Sequence, residues 1–359
     1  MCIVPFFAKV LKVNQLLISW YNANKRDLPW RHTKDAYRIW LSEVMLQQTR
    51  VAQGLPYYEK FVERYPTVRD MAVADEQEIL TLWQGLGYYS RARNMHSAAK
   101  TIVDQYNSVF PNTYKEILSL KGVGTYTAAA IASFAYDLPH PVIDGNVNRV
   151  ISRLFAIHEP INKPSGQKNI QAAVDSIFDA KNPALFNQAI MEFGALHCTP
   201  KKPLCDTCPL RTKCMAYEQN IVGELPKKEG KTKVKEVSHS YLHVRYKNHT
   251  YVEQRESGIW QKLHQFPLME AKIPASEVAE QFKTLISNEV NIELGPAYQT
   301  THLLSHRKIA AQFYTIYVDR KPIFSKSNIF EIQMEEMGTK YPTSVLTQKF
   351  LNQEKNDDK

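Results

Sequence analysis

No apolar run in this chain approaches the roughly 18 residues that a membrane-spanning helix needs, so a bilayer span is not expected. The opening Met1–Phe7 is apolar but short, without a basic flank or a small-residue cleavage site, so it does not read as a signal peptide. With no targeting segment recognised, a cytoplasmic setting is the expectation. Cysteine is scarce, at five in 359 residues, and a disulfide framework is not expected of a chain without an export signal. Internal repeats and low-complexity segments are also missing. What remains is an ordinary globular balance, 44% hydrophobic and 23% charged, carrying a formal net charge of +9. Such a surplus suits a polyanionic partner, whose counterions Lys and Arg release. Charge alone does not separate that from a generically basic enzyme.

At this length two domains are the natural expectation. Residues 1–220 read as almost wholly helical: Ile39, Trp40, Leu46 and Val51 keep helical spacing, as do Val147, Val150, Ile151 and Leu154. Pro56, Pro66, Pro111, Pro139, Pro160 and Pro183 punctuate the segments. Residues 221–236 turn lysine-rich and lose the apolar period, as a linker does. Beyond it, Ser240–Tyr246, Tyr251–Arg255 and Ile309–Val318 predict strands and Ala275–Val290 a helix, giving an α+β domain over residues 237–350. The last residues, 351–359, are polar enough to fray.

Four of the five cysteines crowd into seventeen positions: Cys198, Cys205, Cys208 and Cys214, spaced C-x6-C-x2-C-x5-C. Thiolates this close can converge on one centre, and four satisfy a 4Fe–4S cluster. Zinc usually takes its ligands as two short C-x2-C pairs, which unequal loops fit less well; buried unliganded thiols are the third reading. Lys201, Lys202, Arg211 and Lys213 surround the cysteines and suit contact with a phosphate backbone. Cys2 stands apart.

Leu120–Tyr126 lies between two helical segments, and Gly122 and Gly124 there allow a tight turn that brings amides up to an anion. A helical hairpin with no ligand needs the same turn. Asp144 precedes the helix that carries Arg149 and Arg153; it reads either as a plain N-cap or as a carboxylate held ionised by the helix dipole and amides. Glu43 has Ile39, Trp40, Leu46 and Gln47 as helical neighbours, surroundings that favour a protonated acid. One neutral acid and one charged carboxylate is the division that glycosidic cleavage requires.

LPWR (Leu28–Arg31), SEVMLQQTRV (Ser42–Val51), GLGYYSRARN (Gly85–Asn94), GVGTYTA (Gly122–Ala128), IDGNVNRV (Ile143–Val150) and the four cysteines occur in one order. In these blocks the chain resembles the adenine DNA glycosylase (MutY) family of the helix-hairpin-helix superfamily, which includes endonuclease III. The likeness runs from about Leu28 to Glu224, with a weaker continuation to about Lys349. It implies a mainly α catalytic region with one 4Fe–4S cluster and a C-terminal Nudix-like domain that reads 8-oxoguanine. It also implies a monomer acting on double-stranded DNA with adenine opposite 8-oxoguanine or guanine, the adenine flipped from the stack.

By the same resemblance Glu43 is the general acid. Asp144 stabilises the oxocarbenium-like sugar, directly or through a transient covalent bond, with Asn146 positioning it and Tyr126 donating a hydrogen bond. Trp30, Arg31 and Gln188 line the adenine pocket. Gln48, Thr49, Leu86, Gly87 and Tyr88 match positions that contact or wedge into the duplex, and Ser305 and His306 a loop that touches 8-oxoguanine. Endonuclease III-like lyases, the alternative, act on oxidised pyrimidines and carry a Schiff-base lysine where Tyr126 stands, so a monofunctional enzyme is expected. Three departures stand out. Leu304 replaces the aromatic of the 8-oxoguanine loop, and Gln188 replaces the glutamate of some relatives. Glu335–Gly338 mimics the tail of a Nudix hydrolase box whose earlier Arg-Glu is Glu331-Ile332 here, so nucleotide hydrolysis is not expected.

Overall fold

The computed structural model describes residues 12–230 and 234–357; the readings on Met1–Phe7, Cys2 and the last two positions fall outside the described residues. The chain divides into two compact units, and the division does not fall at a single linker. Of the described residues, the first takes 12–54, then 65–69 and 97–230; the second takes 55–64, 70–96 and 234–357. A run of helices from the N-terminal half therefore belongs with the C-terminal sheet. The sequence-based boundary at 221–236 captures only the last of these crossings, because a linker's composition marks where chain is loose and not where chain returns.

Helices α1 (Val13–Asn24), α2 (Ala36–Met45), α7 (Tyr114–Ser119), α8 (Thr125–Tyr136), α9 (Gly145–Leu154), α10 (Pro164–Ile177), α11 (Pro183–Leu196) and α12 (Met215–Glu218) lie in the first unit. Helices α3 (Val51–Arg64), α4 (Val68–Val73) and α6 (Ser90–Tyr106) run from one unit into the other, and α5 (Glu76–Leu82) lies in the second. Local chemistry sets the starts. Asp35 caps α2 through the Tyr37 amide at 2.9 Å, and Thr113 caps α7 through the Glu116 amide at 3.3 Å. Pro183 opens α11 at a position where no amide is needed. Val147, Val150, Ile151 and Leu154 of α9 meet Leu17, Ile170, Val174, Phe186 and Ile190 in one core.

The other predicted period does not belong to one helix. α2 stops at Met45, Gln48 takes a left-handed φ of 58°, and α3 begins at Val51. Pro56 lies inside α3 and does not end it.

The second unit holds a mixed sheet in the order β3-β2-β1-β6-β5, made by β1 (Lys235–Tyr246), β2 (His249–Gln254), β3 (His264–Gln265), β5 (Ile292–Leu303) and β6 (Arg307–Val318). β4 (Leu268–Met269) adds to β1 and β7 (Ile329–Gln333) to β2. β1 and β6 run parallel, which sets Tyr241 opposite Phe313 in the core. The α+β reading holds, with three corrections. The helix over Ala275–Val290 shrinks to a 3-10 turn and α13 (Val278–Lys283), because Leu285 and Ser287 exchange backbone hydrogen bonds with Ser325 and Ile323. The linker ends earlier than expected, with Lys235 and Glu236 already in β1. The expected frayed tail is helical through its described part, α14 (Val345–Asp357).

Candidate active site

The hairpin between α7 and α8 turns at Gly122, whose φ of 82° is costly for any other residue. Gly124 then caps α8, and one turn in, Tyr126 points its phenol at α2. There it donates a 2.7 Å hydrogen bond to Glu43 Oε2. Glu43 is 7% exposed. Burial pushes its carboxyl up to about 7, and the Asp144 charge adds to that rise; the Tyr126 bond and the Arg31 guanidinium pull it back. Near neutral pH this side chain is poised between acid and carboxylate.

Asp144 is the N-cap of α9: its Oδ1 accepts from the Val147 amide at 2.7 Å and its Oδ2 from Asn146 Nδ2 at 2.8 Å. Burial raises its carboxyl above the ordinary value, and the amide bonds, Asn146 and Arg149 offset only part of that. The same desolvation strengthens its field at anything beside it. Asn146 Oδ1 in turn accepts from Arg149 Nη2 at 2.9 Å.

Glu43, Tyr126, Asp144 and Asn146 line one cavity of about 410 Å³, together with Trp30, Arg31, Thr49 and Gln188. Eight of the sequence-derived site residues thus meet around one space. The cavity wall also holds groups that the sequence did not single out. Glu192 is buried and ion-paired to Arg26 and Arg31 at 2.5 and 2.7 Å. Burial alone would raise its carboxyl, but Arg26 and Arg31 outweigh that and hold it at about 2. Tyr21, which is not itself on the wall, donates a 2.5 Å hydrogen bond to Gln188 Oε1. These partners lie more than 160 positions apart, so no local spacing announces them.

Gln48 is in the first unit but not on the cavity wall. Leu86, Gly87 and Tyr88 belong to the second unit, in the loop after α5. Tyr88 is 48% exposed with a left-handed φ of 49°, backed by the Arg91 guanidinium. Ser305 and His306 are exposed in the turn between β5 and β6. Leu304 beside them packs against the sheet core, while Leu303 is 70% exposed.

The four cysteines form no disulfide and line one cleft with Arg153, Leu204 and Tyr217. No three His, Cys, Asp or Glu side chains among the described residues stand as a ready cage for a single ion. The donor set nonetheless fits a thiolate-bound group. Burial pushes the Cys205, Cys208 and Cys214 thiols up, a cost that a metal's charge removes. Arg153 Nη1 donates to Cys198 Sγ at 3.4 Å and to the Thr199 carbonyl at 2.7 Å. Arg149 Nε bonds the Cys198 carbonyl at 2.8 Å, tying this loop to the residues beside Asp144.

Residues 41–174 match the model of the HhH-GPD superfamily of base excision DNA repair proteins. The chain is 36% identical over 317 residues to an adenine DNA glycosylase of Buchnera aphidicola subsp. Baizongia pistaciae, covering 88% of each. It is 41% identical over 221 residues to the adenine DNA glycosylase of Homo sapiens, covering 59% of this chain and 40% of that one. A solved thermostable thymine-DNA glycosylase superposes with a TM-score of 0.55 at 30% identity, over 59% of this chain and 98% of that one.

Proposed function

We propose, from the premise that this chain belongs to the adenine DNA glycosylase family, that its cavity receives an adenine extruded from duplex DNA and that Glu43 and Asp144 part that base from its sugar. The chain is a base-excision-repair enzyme that hydrolyses an N-glycosidic bond. One observation carries the assignment of roles: the buried Glu43 acid and the capped Asp144 carboxylate face the same cavity.

The steps follow from those two environments. Glu43 gives its proton to a ring nitrogen of the adenine, and the C1′–N9 bond breaks with its electron pair leaving on the base. Positive charge grows on the sugar beside Asp144, whose desolvated carboxylate opposes it at short range. Water adds at C1′ and returns a proton to Glu43. Tyr126 holds the Glu43 carboxyl in place, and Asn146 holds that of Asp144. Trp30, Arg31 and Gln188 wall the base. Among the described residues no lysine lines the cavity; an amine that could attack the sugar is absent from that lining, which disfavours the endonuclease III-like lyase reading.

The base opposite the adenine is 8-oxoguanine or guanine. Gln48, Thr49, Leu86, Gly87 and Tyr88 engage the duplex around it, and Ser305 and His306 touch its edge. The exposed ring of Tyr88 on a left-handed turn supports an insertion role. Leu304 turned into the core leaves no aromatic for stacking, so preference for 8-oxoguanine over guanine is expected to be modest. Cys198, Cys205, Cys208 and Cys214 would hold one 4Fe–4S cluster, which when bound supplies four covalent anchors to the loop. The enzyme works as a monomer. The described residues contain no helix long and apolar enough to cross a membrane.

A single-turnover assay on a duplex with adenine opposite 8-oxoguanine, developed with alkali to reveal abasic sites, tests the reading. Cleavage is expected after alkali only, with thymine or cytosine in place of adenine left intact and no adduct trapped by borohydride. A trapped adduct, or release of an oxidised pyrimidine in preference to adenine, contradicts it. The purified protein is expected to be brown and to hold about four irons per chain. A colourless protein with stoichiometric zinc contradicts the cluster.

A further inference from the structure

One buried carboxylate on the cavity wall takes no part in the chemistry described so far. Glu192 of α11 is 1% exposed and accepts five hydrogen bonds. Arg26 supplies three, from its backbone amide at 3.0 Å, Nε at 2.8 Å and Nη2 at 2.5 Å. Arg31 supplies two, from Nη1 at 2.9 Å and Nη2 at 2.7 Å, and its Nη1 also bonds the Arg26 carbonyl at 2.9 Å. Both terminal nitrogens of Arg31 are therefore committed to the side of the cavity where Glu192 lies.

Arg31 is also the cation that acts on Glu43, favouring its ionised form. Released from its fork, a guanidinium beside a buried acid forms an ion pair with it, and the acid loses its proton. A general acid that has surrendered its proton before the base arrives cannot protonate a leaving group. We infer that Glu192 is a positioning residue that tethers Arg31 and offsets its charge, so that Glu43 keeps its proton until the nucleotide is seated. The inference rests on the reading of Glu43 as the acid.

The charged and titratable groups around the pair are few. Tyr126 of α8, Asp144 at the start of α9 and Arg31 face Glu43, and Arg50 lines the same cavity. Arg26, Arg31 and the Tyr21 phenol face Glu192. Glu192 itself, held at about 2, is ionised throughout the neutral range and contributes no titration of its own there.

The test is adenine release under single-turnover conditions, followed from about pH 5.5 to 9 on the duplex with adenine opposite 8-oxoguanine. The wild-type rate is expected to fall as pH rises through about 7. Glu192→Gln is expected to show the same fall displaced downward by about one pH unit, hence a rate about tenfold lower at high pH, with the low-pH plateau within a few-fold of wild type. Glu192→Asp keeps the charge on a shorter arm and is expected to lie between the two; it serves equally should the glutamine variant not fold. In an Arg31→Gln background, Glu192→Gln is expected to move the profile no further, because its effect passes through Arg31. A Glu192→Gln profile that superposes on the wild-type midpoint while the plateau drops overturns the inference and leaves a structural role only. A wild-type profile with no fall in this range sinks something different, the acid role of Glu43.

Discussion

At Glu43 the needs of folding and of catalysis oppose each other. A carboxyl buried without a cation of its own raises the free energy of the fold whenever it must ionise. Its pKa stands near 7 in the folded protein against an ordinary 4.5. Between those values the folded chain binds more protons than the unfolded one, so stability falls as pH rises and stays low above about 7. A gap of this size corresponds to about 3 kcal/mol at alkaline pH. Glu43→Gln keeps an oxygen for the Tyr126 hydroxyl and removes the charge. It is expected to abolish adenine release while raising the melting temperature at pH 8, with little change at pH 4.5; thermal melts at the two pH values check this. Activity lost with no alkaline stabilisation would mean that Glu43 is not desolvated as described. Glu43, Asp144 and Tyr126 were legible in the sequence because each sits in a short block with a recognisable spacing. Glu192, Arg26 and Tyr21 were not, since their meaning depends on α1 and the segment just after it meeting α11 across more than 160 residues.

Among the elements, the approach of α11 to α9 decides how firmly the site is held. A Cβ at Gly194 would lie 2.7 Å from Asn146 Cβ and 3.0 Å from its carbonyl oxygen. Gly194→Ala must therefore part the two helices or shift Asn146, at a cost of roughly 1–3 kcal/mol. It is expected to slow single-turnover cleavage at least tenfold while duplex affinity changes little; an unaltered rate would show that Asn146 does not position Asp144. Arg153 is buried and binds the carbonyls of Thr199, Pro200 and Leu225 as well as Cys198 Sγ. Arg153→Met leaves those acceptors without a donor. Limited proteolysis should then cut within residues 199–213, and the purified protein should lose iron, whereas full iron content and an intact loop would contradict the role given to Arg153. The elements that sequence reading missed have physical causes. β5 contains Gly295-Pro296 and reads as a break, yet the sheet absorbs the pair as a register shift between Leu294 and Ala297 on an edge strand. The apolar period over residues 275–290 looks helical, but the pairing of Ile286 with Phe324 claims its second half.

For the molecule as a whole, the surplus of nine positive charges governs encounter with DNA and not the chemistry. Binding of Glu43→Gln to duplex DNA, read without cleavage, is expected to weaken linearly on a log–log plot against salt, by roughly one power per phosphate contacted. A flat plot would remove the phosphate backbone as the main source of affinity. The α+β character of the C-terminal domain was visible in its strand-rich composition. The grouping of residues 70–96 with that domain was not, because such helices look alike in sequence whichever unit they join. The most direct measurement remains the pH dependence of single-turnover adenine release by the wild-type enzyme from a duplex with adenine opposite 8-oxoguanine. A rate that is highest below neutrality and declines through about pH 7 is expected from a buried Glu43 acting as the proton donor. A rate that is level to pH 9, or that climbs as the carboxyl ionises, contradicts it.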